Sequence, residues 1–224
     1  MIGILMLDTA FPRFLGDVGN PESFTFPVTY AVVPGATPHA IVCSDIEPWV
    51  EAFIAAGRDL VSQGCTALTT TCGFLTLLRD RVERETGVPV VSSALELIPG
   101  LMARGRNPGI LTISSASLTP GHLDAAGVPK AVPIQGVDGS HFATAILENQ
   151  TRLDAHVSRQ DLVAGAQALV KSHPDLDVVV LECTNMPPYR EAIEAETGRH
   201  VVSILDAVNA LHAEHVKKSG SLAT

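Results

Sequence analysis

Aromatic residues are scarce in this sequence. Seven Phe, two Tyr and one Trp make up 4% of it, which makes a large aryl-binding pocket less natural without forbidding one. Lysine is scarcer still. Lys130, Lys171, Lys217 and Lys218 are the four present, and none stands in a motif that would carry a pyridoxal-phosphate Schiff base. No Lys/Arg-rich stretch occurs, and the formal net charge is -9. A polyanion-binding surface is therefore not expected, neither for nucleic acid nor for an anionic membrane. No run approaches the ~18 apolar residues of a bilayer span.

The opening segment Met1–Phe14 is apolar for only a few residues and has no basic leader. It reads as a first strand, Ile2–Leu7, rather than a signal peptide, so a cytoplasmic location is the default expectation. Four cysteines in 224 residues do not make a disulfide framework. The absence of CxxC, and of HxH or HExxH among eight scattered histidines, leaves no metal-ligand pattern. Neither GxGxxG nor GxxxxGK[ST] follows a strand, which argues against dinucleotide and P-loop chemistry. The expected protein holds no metal and no cofactor.

What is present is a folded, largely apolar chain, 46% hydrophobic and 17% charged, of a length that suits one large domain or two of roughly 100 residues each. Short Val/Ile/Leu/Thr runs alternate with longer amphipathic stretches, as in βα units with parallel strands. Strands are expected near residues 2–7, 27–33, 67–71 and 88–92, then near 110–114, 131–137, 178–182 and 200–204. Helices fit 45–63, 74–86, 94–104, 160–172, 188–197 and 205–217.

An internal repeat organises these elements. TCGFLTLLRDRVERETGVPVVSSAL aligns without a gap on ECTNMPPYREAIEAETGRHVVSILD. Cys72 meets Cys183, Arg79 meets Arg190, Glu83 meets Glu194, and ETG meets ETG, all at an offset of 111 residues. A second echo pairs GILMLDTAF with GILTISSAS at an offset of 106. The expectation is an α/β fold of two pseudo-symmetric lobes related by duplication. Each lobe is a mainly parallel four-stranded sheet flanked by helices. Residues 1–98 plus 205–224 form the first lobe and 99–204 the second, with the active site in the cleft between them.

In each module the cysteine follows an apolar strand and precedes a helix. The carboxyl end of a strand is where open α/β sheets bind ligands, and N–H groups at the start of a helix favour thiolate and substrate carboxylate. A single cysteine at such a place is commonly a packed core residue, the reading given to Cys43 and Cys65. The matched pair reads differently. Two opposed thiols, one as thiolate and one as thiol, can take a proton from one face of a carbon and return one to the other. Arg13, in the Gly- and Pro-rich segment 11–24, belongs to a loop that can fold over the site and bring a guanidinium to a carboxylate. The alternative is an ordinary surface arginine.

At TTTCGF and ECTNMPPY, and in the opening strand with its LDT, the chain resembles the aspartate/glutamate/hydantoin racemase superfamily, with its arylmalonate decarboxylases and maleate isomerases. The resemblance implies two α/β lobes, no cofactor or metal, and Cys72 and Cys183 as an acid/base pair acting on a small carboxylate in a homo-oligomer. It also implies that Thr71, Gly73, Phe74, Thr184 and Asn185 supply donors around that carboxylate. Asp8 and Thr9 match an acidic-plus-hydroxyl pair, and Thr112 to Ser115, with Ser114 between, match a hydroxyl-rich clamp. DTAFPRF and Asn185 depart from glutamate racemases, which carry DSGxGG and a histidine there. Both cysteines are present, unlike arylmalonate decarboxylases, which keep only the second. The expected reaction is racemisation or epimerisation of an amino acid or hydantoin. The alternatives are maleate-type cis–trans isomerisation, malonate decarboxylation, and a non-catalytic two-lobed acid-binding protein.

Overall fold

The computed structural model describes residues 1–221, with side chains through Glu214. The first sheet comprises β1 (Ile2–Leu7), β2 (Val28–Val33), β3 (Ala67–Thr70) and β4 (Val90–Val91); the second comprises β5 (Pro108–Thr112), β6 (Ile134–Gly136), β7 (Val178–Leu181) and β8 (His200–Ser203). The orders are β2-β1-β3-β4 and β6-β5-β7-β8, and every pairing is parallel. The central strands β3, β5 and β7 are buried along their whole length, as strands covered by helices on both faces must be. Residues 222–224, which the sequence reading put in the first lobe, lie outside the described residues.

The helices are α1 (Pro38–Val42), α2 (Val50–Ser62), α3 (Arg79–Thr86), α4 (Ile98–Ala103), α5 (Pro120–Ala125), α6 (His141–Leu147), α7 (Ala155–Ser172), α8 (Arg190–Thr197) and α9 (Ile204–Ser221). Several differ from expectation. The stretches expected to be helical from 45, 74, 94 and 188 open instead with 3-10 turns at Glu47–Trp49, Gly73–Leu78, Ala94–Leu97 and Pro187–Tyr189. Tighter turns are common where a helix leaves a strand or a proline starts it. Three short helices, α1, α5 and α6, were not anticipated. They begin at Thr37, Thr119 and Ser140 caps, two of them with proline in the first turn, a start signal too brief for periodicity to register. β1 has the expected bounds; β2, β3, β4, β6, β7 and β8 run shorter than expected at their ends, and β5 is displaced two residues earlier, starting at Pro108.

The repeated residues are structural, and they act in matched pairs. Glu83 accepts from Val90 N and Glu194 from Val201 N, each at 2.9 Å, so each helix carboxylate caps the strand that follows it. Thr86 and Thr197 hydroxyls donate back to Val82 O and Ile193 O at 2.7 and 2.6 Å. Gly87 (φ 71°) and Gly198 (φ 65°) take the left-handed conformation that ends each helix, which glycine adopts without a Cβ penalty. The duplication thus fixes the strand–helix–strand unit that presents each cysteine.

Candidate active site

Both cysteines emerge one step beyond a sheet ladder. Thr71 N donates to Leu5 O at 3.0 Å and Glu182 N to Leu111 O at 2.9 Å, so each strand stays paired until the residue before its cysteine. Thr70, buried, accepts from Cys72 N and donates to Ser92 O, pinning the first cysteine to the residue that follows β4. Across the lobes, Thr184 Oγ1 donates to Thr71 O at 2.6 Å and ties the two cysteine loops together. The pair lines one small cavity between the lobes, about 20 Å³ in volume. Leu7, Phe11, Phe74, Ile113 and Ile146 supply most of its apolar wall.

The loop 11–24 does reach the site, bringing Arg13 into its lining and Asp17 beside it. Arg13, partly buried, pairs with Asp17 at 3.0 Å, donates to Thr9 Oγ1 at 2.8 Å, and lies 4.5 Å over the Phe11 ring. Asp17 is only 2% exposed. It accepts from Gly19 N at 2.6 Å and from Asn185 Nδ2 at 2.6 Å. Asn185 Oδ1 in turn accepts from the Cys183 thiol at 3.6 Å. Sequence reasoning missed Asp17, because an acid four residues after an arginine in a polar loop looks like a surface ion pair.

Glu182 lies beneath the thiols. Its Oε2 accepts from Thr112 Oγ1 at 2.8 Å, while Oε1, equally buried, has no partner. Burial pushes its carboxyl up to about 7, since removing a charge from water costs more than one hydroxyl returns. Burial also pushes both thiols up, with Glu182 adding to the effect: Cys72 to about 12, and Cys183 well above an ordinary cysteine. This corrects the expectation that helix-start N–H groups hold both thiols low. N–H groups of Phe74 and Leu75, and Arg13 nearby, do pull Cys72 down, but desolvation outweighs them.

The remaining candidates divide. Thr9, Thr71, Gly73, Phe74, Thr184 and Asn185 line the cavity with Arg13. Four do not line it. Asp8 is exposed, and its carboxylate accepts from Gly35 N at 2.9 Å; it caps a turn instead of facing a substrate. Thr112 reaches the site only through Glu182. Ser114 and Ser115 hydroxyls are taken by Asp138 at 2.7 and 3.0 Å, so the expected clamp already holds a carboxylate of the protein itself. Their hydrogen bonds keep Asp138 below the usual carboxylate range, against the opposing effect of burial. Among the described residues, no cluster of three His, Cys, Asp or Glu side chains is placed to hold a metal ion, and no helix is long and apolar enough to cross a membrane.

The family model described as Asp/Glu/Hydantoin racemase matches residues 36–214. The chain belongs to the Asp/Glu/hydantoin racemase family. Its curated relatives include a dimethylsulfoniopropionate lyase of Durusdinium sp. clade D, 30% identical over 92% of this chain and 71% of that protein. Dimethylsulfoniopropionate lyase 7 of Emiliania huxleyi is 28% identical over 95% of this chain, which spans 66% of that relative's length. Among solved structures, a sulfate-associated mutant of arylmalonate decarboxylase superposes with a TM-score of 0.64 at 18% identity, over 93% of this chain and 91% of that one. The Francisella tularensis glutamate racemase in complex with D-glutamate gives 0.65 at 16%, over 97% and 81%. These two share the two-lobed fold.

Proposed function

We propose that this family member is a cofactor-independent carbon-acid enzyme. Cys72 and Cys183 remove the proton next to a carboxylate, and the substrate is a 3-substituted propionate of the dimethylsulfoniopropionate kind. One observation carries the reading: two thiols from equivalent strand ends line a single, largely apolar cavity. In the elimination, a thiolate takes the α-proton and the released C–H pair forms the Cα–Cβ double bond. The Cβ–S bond breaks with its pair going to sulfur, leaving dimethyl sulfide and acrylate.

The cavity suits such a substrate better than an α-amino acid. Asp8, the acidic member of the expected acidic-plus-hydroxyl pair and the side chain suited to an ammonium group, is turned to Gly35 N and stands outside the cavity. Arg13 lines the cavity with its Nε unpartnered, a donor that a substrate carboxylate can take. A sulfonium in the cavity would lie near the Phe74 ring, and aromatic rings attract cations; the Phe11 ring already carries the Arg13 guanidinium. The same cation would favour thiolate where burial now opposes it. The names of the lyase relatives agree with this substrate.

The presence of two thiols, where elimination moves only one proton, supports a second reading: racemisation of an amino acid or hydantoin. Incubating the chain in heavy water with dimethylsulfoniopropionate, amino acids, hydantoins, maleate and an arylmalonate separates the possibilities. Dimethyl sulfide and acrylate, reduced at least about 100-fold in Cys72→Ala, are the expected products. α-Deuterated, racemised amino acid or hydantoin without sulfide release would establish the second reading. No turnover and no exchange on any of them would reject carbon-acid chemistry here.

A further inference from the structure

We infer that Asp17 divides the labour between the two thiols: it locks the Asn185 amide with its oxygen toward Cys183, which keeps Cys183 as the protonated partner and leaves Cys72 as the base. A carboxylate only accepts hydrogen bonds. The Asn185 atom 2.6 Å from Asp17 Oδ2 is therefore the NH₂ nitrogen, and the amide cannot turn over without setting two acceptors against each other. Its oxygen is thereby committed to the Cys183 sulfur, 3.6 Å away. An acceptor facing a thiol stabilises S–H and opposes S⁻. Asp17 is itself immobilised, since Arg13 and Gly19 N hold its other oxygen at 3.0 and 2.6 Å.

The surroundings of the two sulfurs are unequal in the same sense. Cys183 faces Glu182, Cys72 and Asp17, all of which resist a second negative charge, and it is offered one backbone donor, Asn185 N–H. Cys72 faces Glu182 as well, but it is offered the N–H groups of Phe74 and Leu75 and lies near the Arg13 guanidinium. The duplicated modules diverge at this point, Cys-Gly-Phe in the first and Cys-Thr-Asn in the second. Phe74 contributes a ring to the cavity wall; Asn185 contributes an acceptor. Asp17 touches neither thiol and acts as a positioning residue.

The catalytic meaning of this asymmetry rests on the proposed function, whereas the protonation order of the thiols is a property of the free protein. It is read by initial rates of iodoacetamide alkylation at each cysteine against pH, with peptides resolved by mass spectrometry. Exposed Cys43 serves as the unhindered reference, and buried Cys65, outside the cavity, reports unfolding. In the unmodified protein, Cys72 is expected to gain reactivity at lower pH than Cys183. In Asp17→Asn the Asn185 amide is free to turn, and Cys183 alkylation at fixed pH should rise about tenfold, the equivalent of one pH unit, with Cys72 and Cys65 little changed. If that variant exposes Cys65, Asn185→Ala removes the same acceptor and should give the same selective rise. Cys183 titrating at or below the pH of Cys72 in the unmodified protein overturns the inference. So does a folded variant in which Cys183 gains nothing. Failure of every substrate would leave the thiol order unaffected, so the two claims fail separately.

Discussion

Gly73 follows the first cysteine where the lobes meet, and a Cβ there would collide with Glu182 Oε1 and lie 2.5 Å from Glu182 O. The carbonyl is backbone and cannot move aside cheaply. Gly73→Ala is expected to lose about 1–3 kcal/mol of stability or more, of the order seen for overpacked cores, measured by urea unfolding. Glu182 makes a second prediction, this one about pH. Its carboxyl is held near 7 in the folded chain against 4.5 unperturbed, so between those values the unfolded state sheds a proton that the folded state keeps. Stability should therefore fall as pH rises from 4.5 to 7, by about 3 kcal/mol for a shift of this size, and then level off. Glu182→Gln should abolish that slope; an unchanged slope would place the titration elsewhere. At this scale the cysteines were legible because duplication set them in register. Asp17 was not, because its burial depends on how a polar loop folds over the cleft, and no local pattern records that.

At the scale of elements, the repeated helix end is the feature that sequence and structure share most fully. Glu83 and Glu194, Thr86 and Thr197, and Gly87 and Gly198 make the same bonds or adopt the same backbone in both lobes. Gly87→Ala and Gly198→Ala should each cost about 1 kcal/mol, the penalty for a side chain in the left-handed region. Neither glycine has an atom within 4 Å of where its Cβ would lie, so the two losses should match in thermal or urea unfolding. Unequal losses would mean that the modules no longer share this unit. The strands were readable as apolar runs between turns. The 3-10 openings and the short helices α1, α5 and α6 were not, since a single turn leaves too few residues for a 3.6-residue period to stand out. Their Thr-Pro and Ser caps were visible, but as isolated signals.

For the whole molecule, what matters is how two duplicated lobes become one site. Thr184 Oγ1 to Thr71 O crosses the interface beside both thiols, and Asn149, in the left-handed region at φ 55°, accepts from Ala10 N at 2.7 Å and donates to Asp8 O at 3.1 Å. Thr184→Val leaves Thr71 O without that partner and should cost about 1–3 kcal/mol. Amide exchange should quicken in both cysteine loops together; a change confined to one loop would mean that the bond does not couple the lobes. The two-lobed architecture was legible from the repeat alone, whereas the choice of substrate proposed above rests on which side chains turn into the cavity, as Asp8 does not. The most direct measurement compares turnover of dimethylsulfoniopropionate with that of the same compound deuterated at the α-carbon, in the unmodified chain and in Cys72→Ala. Slower turnover of the deuterated substrate, with activity lost in the variant, is the expected result. Equal rates for the two substrates, or turnover that survives without the Cys72 thiol, would contradict proton removal by this pair.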